Sequence, residues 1–164
     1  AIAATGARIT SMTGYLRGTL HTPSGSAELL ATMEQSIAAS RHIGTPNLNL
    51  HGTGTQHNDS MESLAVAAIF GCHTPCTSTK PLTGHTLGAA GAIEAAFLWG
   101  MVSRRCNPQG RLPAQIWNGE RDAALPEIML TDTHSAWPQQ RRIGASASFA
   151  FGGSNAVVVI GEAV

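Results

Sequence analysis

Charge is scarce in this chain. Asp, Glu, Lys and Arg make up 12% of its 164 residues, about half the usual share in a soluble domain, and ten acidic side chains cancel ten basic ones. Zero net charge gives no electrostatic reason to expect nucleic acid or an anionic membrane as a partner. The shortage predicts either a well-filled core or a surface that another body covers. Cysteines are few and odd in number: Cys72, Cys76 and Cys106 have no framework spacing, which points to a reducing, cytoplasmic setting. Cys72-His73-Thr74-Pro75-Cys76 lacks the second ligand pair of a zinc site, so no metal is expected. No opening segment has the basic-then-apolar order of a signal peptide. The most apolar stretch, Thr86 to Val102, contains Glu94 and glycines and is not expected to span a membrane.

What is present reads as alternating strands and helices around one core, an α/β domain. Arg8 to Thr19 predicts an opening strand. Ser24-Gly25-Ser26 starts a helix with Glu28 in its first turn and Leu30, Met33 and Ile37 on one side, ended by Gly44 and Pro46. Asn47 to Leu50 is a short strand that delivers His51 onto a loop. Asn58 or Asp59 caps the next helix, whose apolar face is Leu64, Val66, Ile69 and Phe70 and whose stop is Gly71. Pro75 to Thr79 forms another short strand, and Thr83-Gly84 opens a helix. From Thr86 to Val102 that helix is apolar on every side, which predicts burial all round. Asn107 to Gln140, punctuated by four prolines, is mostly irregular, with a short strand around Glu127 to Leu130. Ile143 to Phe149 and Ala156 to Ile160 are two strands about a Gly-Gly turn. The second does not alternate, so both its faces should be covered.

Lysine occurs once, as Lys80, while nine arginines carry the other positive charges. An ammonium set in apolar sequence needs a partner, and Glu62, three residues after Asp59 on one helix, is the candidate. His51 and His85 both lie in glycine-rich turns, where a backbone can approach a ligand closely. A single histidine is more often structural than catalytic. Gly88-Ala89-Ala90-Gly91 breaks the spacing of a dinucleotide-binding turn. The lone Tyr15 has Thr19, not lysine, four residues on, which excludes a short-chain dehydrogenase.

Three blocks carry a resemblance. His51-Gly52-Thr53-Gly54-Thr55 with Asn58, Asp59 and Glu62 comes first. Ser78-Thr79-Lys80 through Thr83-Gly84-His85 to Gly91 follows, and Phe149-Ala150-Phe151-Gly152-Gly153-Ser154-Asn155 closes the set. In this order they resemble the C-terminal half of the β-ketoacyl synthases, the condensing enzymes of fatty-acid and polyketide assembly. The resemblance covers essentially the whole chain. It implies a thiolase-like fold, with residues 1–164 as the C-terminal domain: a mixed sheet flanked by helices, one of them a buried glycine- and alanine-rich helix. The family's nucleophile is a cysteine in the N-terminal half. Cys72, Cys76 and Cys106 match none of its context, so the chain reads as lacking that half and is expected to be inactive alone.

The implied reaction is decarboxylative Claisen condensation of an acyl thioester with malonyl-acyl carrier protein. It needs no cofactor beyond the carrier's phosphopantetheine. His51 and His85 would donate N–H groups to the enolate, Lys80 would keep an imidazole neutral, and Glu62 would balance Lys80. The Phe151 N–H would join the oxyanion hole and its ring would gate the acyl pocket, with Gly152 and Gly153 freeing the turn. Implied partners are acyl carrier protein, the missing N-terminal half and a second subunit in a homodimer or heterodimer. Arg104, Arg105, Arg111, Arg141 and Arg142 can meet an acidic carrier or simply be solvated. A thiolase proper would place a cysteine within Phe149 to Gly153, where there is none. The alternative is a non-catalytic chain-length partner subunit; such subunits tend to lose residues equivalent to His51, Lys80 and His85.

Overall fold

The computed structural model describes residues 7–15, 31, 47–138, 141–150 and 154–162. The expected helix through Leu30, Met33 and Ile37 lies outside the described residues, as do Phe151, Gly152 and Gly153. The strands are β1 (Ala7–Tyr15), β2 (Asn47–Asn49), β3 (Pro75–Thr77), β4 (Met129–Leu130), β5 (Ile143–Ala150) and β6 (Ser154–Glu162). The helices are α1 (Gln56–Phe70), α2 (Lys80–Thr83) and α3 (Ala90–Val102), the last preceded by a 3-10 turn over Leu87–Ala89.

The strands form one mixed sheet in the order β1-β6-β5-β2-β3-β4. β5 and β6 pair antiparallel, with Phe149 opposite Asn155, and β1 continues that antiparallel side. β2 is parallel to β5 and β3, and β3 is parallel to β4. The β2-α1-β3 crossover is the unit that parallel pairing requires.

A core lies on each face of the sheet. Leu48, Leu50, Ala145, Ala147, Phe149, Val157 and Val159 pack with Ala65, Val66 and Ile69 of α1. Ile160 turns to the opposite side and packs with Leu98 and Val102 of α3, Leu112 and Trp137. This split explains the absence of alternation in β6, because both faces are apolar environments. Gly144 makes the second core possible: a Cβ there would lie 2.5 Å from Leu98 Cδ1 and 2.9 Å from Trp137.

Four local expectations are corrected. α1 starts at Gln56 after Thr55, so Asn58 and Asp59 lie inside its first turn and do not cap it. Leu64 is 49% exposed, and Ala65 takes the core position assigned to it. Thr83-Gly84 closes the one-turn α2 and does not open α3. The glycine- and alanine-rich helix is also not buried all round. Ala90, Glu94, Leu98 and Val102, four residues apart, form its buried stripe, whereas Phe97 is 42% exposed. Small side chains on every side carry no periodic signal, so close packing sets the helix orientation. A Cβ on Gly91 would stand 3.1 Å from Ser148 Oγ.

Candidate active site

The site assembles at the C-terminal ends of parallel strands β2 and β3, where α/β sheets leave room for ligands. Leu50 N–H donates to the Thr77 carbonyl (2.7 Å), after which the chain leaves the sheet at His51. Glu62 of α1 sets the next turn. Its two oxygens accept the backbone N–H groups of His51 (2.7 Å) and Gly52 (2.8 Å). Gly52 has φ +41°, and a Cβ there would lie 2.7 Å from the Ser78 side chain, so only glycine fits.

Lys80 opens α2 and is 7% exposed. Its Nζ donates to Glu94 Oε1 of α3 at 2.5 Å and lies 3.4 Å from His51 Nδ1. Gly84, at φ +71°, ends the turn and directs the chain to His85. The His51 and His85 rings meet edge to face, 5.6 Å between centroids. The Phe149 ring of β5 stands 6.0 Å from His51. Leu87 holds φ 49°, a left-handed conformation that side chains with a Cβ rarely adopt, and its N–H donates to His85 Nδ1 (3.2 Å).

These contacts set the tautomers. An ammonium and a backbone N–H can only donate, so Nδ1 is the acceptor on each ring and Nε2 carries the N–H. Burial, then the Lys80 charge, then His85 lower the His51 imidazole to about 4, so it is neutral at pH 7. Burial raises the Glu62 carboxyl to about 7 against the pull of its two N–H donors. Burial also raises Glu94, with Lys80 opposing it. The Cys76 thiol is pushed up to about 12, mainly by burial and further by Glu62, which is the reverse of what a nucleophile needs.

An open groove of about 870 Å³ runs from Lys80 and His85 past Gln115 to Trp117, Ile128 and Leu130. Among the described residues, no group of three or more His, Cys, Asp or Glu side chains is arranged to hold a metal ion. Among them, too, no helix is long and apolar enough to cross a membrane.

The family profile described as Beta-ketoacyl synthase, C-terminal domain, matches residues 8–110. The chain belongs to the β-ketoacyl synthase family. Its fold is the C-terminal half of the thiolase-like fold. Nodulation protein E of Rhizobium leguminosarum bv. trifolii is 37% identical over 115 residues, covering 68% of this chain and 26% of that protein. The 3-oxoacyl-[acyl-carrier-protein] synthase 1 of Escherichia coli (strain K12) is 36% identical over 115 residues, covering 69% and 26%. Among solved structures, a ketosynthase in complex with its chain length factor from Xenorhabdus doucetiae matches with TM-score 0.66 and 37% identity. That match covers 97% of this chain and 38% of the other. The chain thus spans about a quarter of the length of both curated relatives, at 26% each.

Within this synthase domain, the structure brings His51, His85 and Lys80 together as the sequence suggested. The pairing of Lys80 with Glu62 is corrected: Lys80 pairs with Glu94. Glu62 is unavailable as a direct partner because both its oxygens hold backbone N–H groups. Glu94 had a visible signal, since it is the one charged residue in the apolar run from Thr86 to Val102. A buried carboxylate needs a cation for the same reason that buried Lys80 needs an anion. Among the arginines, Arg142 is 4% exposed and donates to the carbonyls of Asn107 (2.6 Å) and Pro108 (3.5 Å). It braces the fold and leaves the group facing outward.

Proposed function

We propose that this domain supplies the decarboxylation half of a β-ketoacyl synthase active site. The observation that carries the reading is the contact of two imidazoles, 5.6 Å between centroids, whose Nδ1 atoms are taken by donors, the Lys80 ammonium on His51 and the Leu87 N–H on His85, which leaves Nε2 as the N–H donor of each. Malonyl thioester loses CO₂, and the electron pair of the broken C–C bond passes into an enolate whose negative charge falls on the thioester oxygen. Two N–H donors stabilise that oxygen without giving up a proton. Lys80 disfavours a second cation at His51, and Glu94 fixes Lys80. The enolate carbon then attacks the acyl thioester on a cysteine of the N-terminal half, and the thiolate leaves. By the resemblance of Phe149 to Asn155 to the family's closing motif, the Phe151 N–H is assigned to the oxyanion hole for that step.

Acyl groups arrive on the phosphopantetheine of acyl carrier protein, and exposed Arg105, Arg111 and Arg141 offer it positive charge. The complete enzyme works as a homodimer or heterodimer. The chain-length-partner alternative gains nothing from the site, where His51, Lys80 and His85 are all present and in contact.

In the complete protein, His51→Ala or His85→Ala should slow malonyl decarboxylation about 10²–10³-fold, and acyl transfer to the cysteine should suffer less. Labelled CO₂ release and acyl-enzyme formation separate the two steps. Variants that block acylation yet decarboxylate normally would end the donor assignment.

A further inference from the structure

β3 outruns its neighbour. β4 pairs with it only through Pro75–Met129 and Cys76–Leu130, and Thr131 N–H then donates to the Cys76 carbonyl (2.9 Å). Beyond that point the Ser78 N–H has no strand to bond. Gln115 supplies the acceptor instead: its Oε1 takes the Ser78 N–H at 2.6 Å and the Thr77 hydroxyl at 3.4 Å.

Gln115 is itself anchored. Its backbone N–H donates to the Thr131 carbonyl (2.9 Å), the Thr131 hydroxyl donates to the Pro113 carbonyl (2.6 Å), and Nε2 donates to the Ile116 carbonyl (3.1 Å). On its other side Ser78 ties the two halves of the site together. Its hydroxyl donates to the Gly52 carbonyl (3.2 Å), beside His51, and accepts the Lys80 N–H (3.4 Å).

We propose that Gln115 is a positioning residue for Lys80: its amide oxygen stands in for a sheet partner at the end of β3 and holds the Ser78–Lys80 turn, so that Nζ lies between His51 and Glu94. A side chain from the irregular segment between α3 and β4 thereby sets the geometry of the buried cation. The functional part of this inference rests on the roles given above to His51 and Lys80.

The test uses Gln115→Leu, which keeps bulk and removes the acceptor, and Gln115→Glu, which keeps the acceptor, both in the complete protein. Two signals are read: labelled CO₂ release from malonyl thioester, and the titration of His51 followed by NMR of labelled histidine. Around the His51 ring the titratable groups are Lys80 and His85, with Glu62 on its backbone N–H and Glu94 beyond Lys80. Gln115→Leu should slow CO₂ release about tenfold, the scale of a buried donor left unpaired, mainly in kcat. It should also raise the His51 titration above its starting value of about 4, as Lys80 withdraws. Gln115→Glu should recover most of both.

A Gln115→Leu protein that melts earlier while His51 titrates unchanged makes Gln115 merely structural and overturns the proposal. So does a Gln115→Glu variant as impaired as Gln115→Leu. If Lys80→Ala released CO₂ at the normal rate, the decarboxylation reading would fail on its own, and the His51 titration would still decide the role of Gln115.

Discussion

Two buried carboxylates flank the site from opposite faces of the sheet, and they do different work. Glu62 on α1 and Glu94 on α3 are each 2% exposed, and burial pushes both upward from the ordinary carboxyl range. Glu94 meets a charge, the Lys80 ammonium. Glu62, among the described residues, takes its hydrogen bonds from backbone, the N–H groups of His51 and Gly52. A carboxylate on an ammonium settles where charge sits, while a carboxylate on two successive N–H groups settles the path of the chain. The site uses one for the cation beside His51 and the other for the turn that carries His51. Equal burial therefore does not mean equal sensitivity to substitution.

The largest difference should appear when each carboxylate is removed. Glu94→Ala strands the Lys80 ammonium in the interior, and breaking a buried pair from one side costs about 3–5 kcal/mol. Denaturant unfolding of the complete protein measures this. Replacing both partners, as Lys80→Met with Glu94→Leu, should restore most of the stability while leaving decarboxylation crippled. If the double variant stayed as unstable as Glu94→Ala, the cost would come from packing around α3 and the charge argument would be wrong.

Glu62→Gln should cost less, about 1–3 kcal/mol, because it leaves one of two buried N–H groups without a good acceptor. Its pH signature sharpens the contrast. The Glu62 carboxyl is raised from 4.5 to about 7 in the fold. Between those values the folded protein holds a proton that the unfolded chain has shed. Its contribution is therefore complete below pH 4.5 and is lost as the pH rises through about 7. The stability gap between the unsubstituted protein and Glu62→Gln should narrow over that interval. A gap that widens instead would show that the two N–H donors outweigh burial and keep the carboxylate ionised.

The sequence exposed this architecture unevenly, and the reasons are physical. β2, β3, β5 and β6 were legible because β-branched or apolar runs end at glycine, proline or polar turns, and the strands fell within a few residues of their expected places. His51, Lys80 and His85 stood out because glycines bracket them and because a lone lysine in apolar sequence must find a partner. Which partner was not legible. Glu62 lies close in sequence to the His51 block, but nothing in a sequence shows that a carboxylate will spend both oxygens on main-chain N–H groups. Glu94 did carry a signal, a lone charge in an apolar helix, but nothing in the spacing ties it to Lys80. The orientation of α3 was hidden too, since it follows from the close approach of Gly91 to Ser148 and of Leu98 to Gly144, not from a periodic pattern.

A third carboxylate sets the lower end of the scale. Glu162 at the end of β6 accepts Arg104 Nε at 2.6 Å and Nη2 at 3.1 Å, and also the Arg142 backbone N–H at 3.1 Å. Partial burial pushes its carboxyl up, but Arg104 and the Arg142 N–H together outweigh that and leave it below the usual range. Its contribution is thus present above the free carboxyl value and lost as the pH falls, opposite in sign to Glu62. The Arg104 side chain is 57% exposed, so water and salt screen the pair. Arg104→Ala should therefore cost about 0–1 kcal/mol, shrinking further as salt is added. Unfolding measured at low and high ionic strength checks this. A loss as large as that of Glu94→Ala, or one indifferent to salt, would mean that burial does not rank these three carboxylates. In that case the number of main-chain donors each one holds would be the better guide.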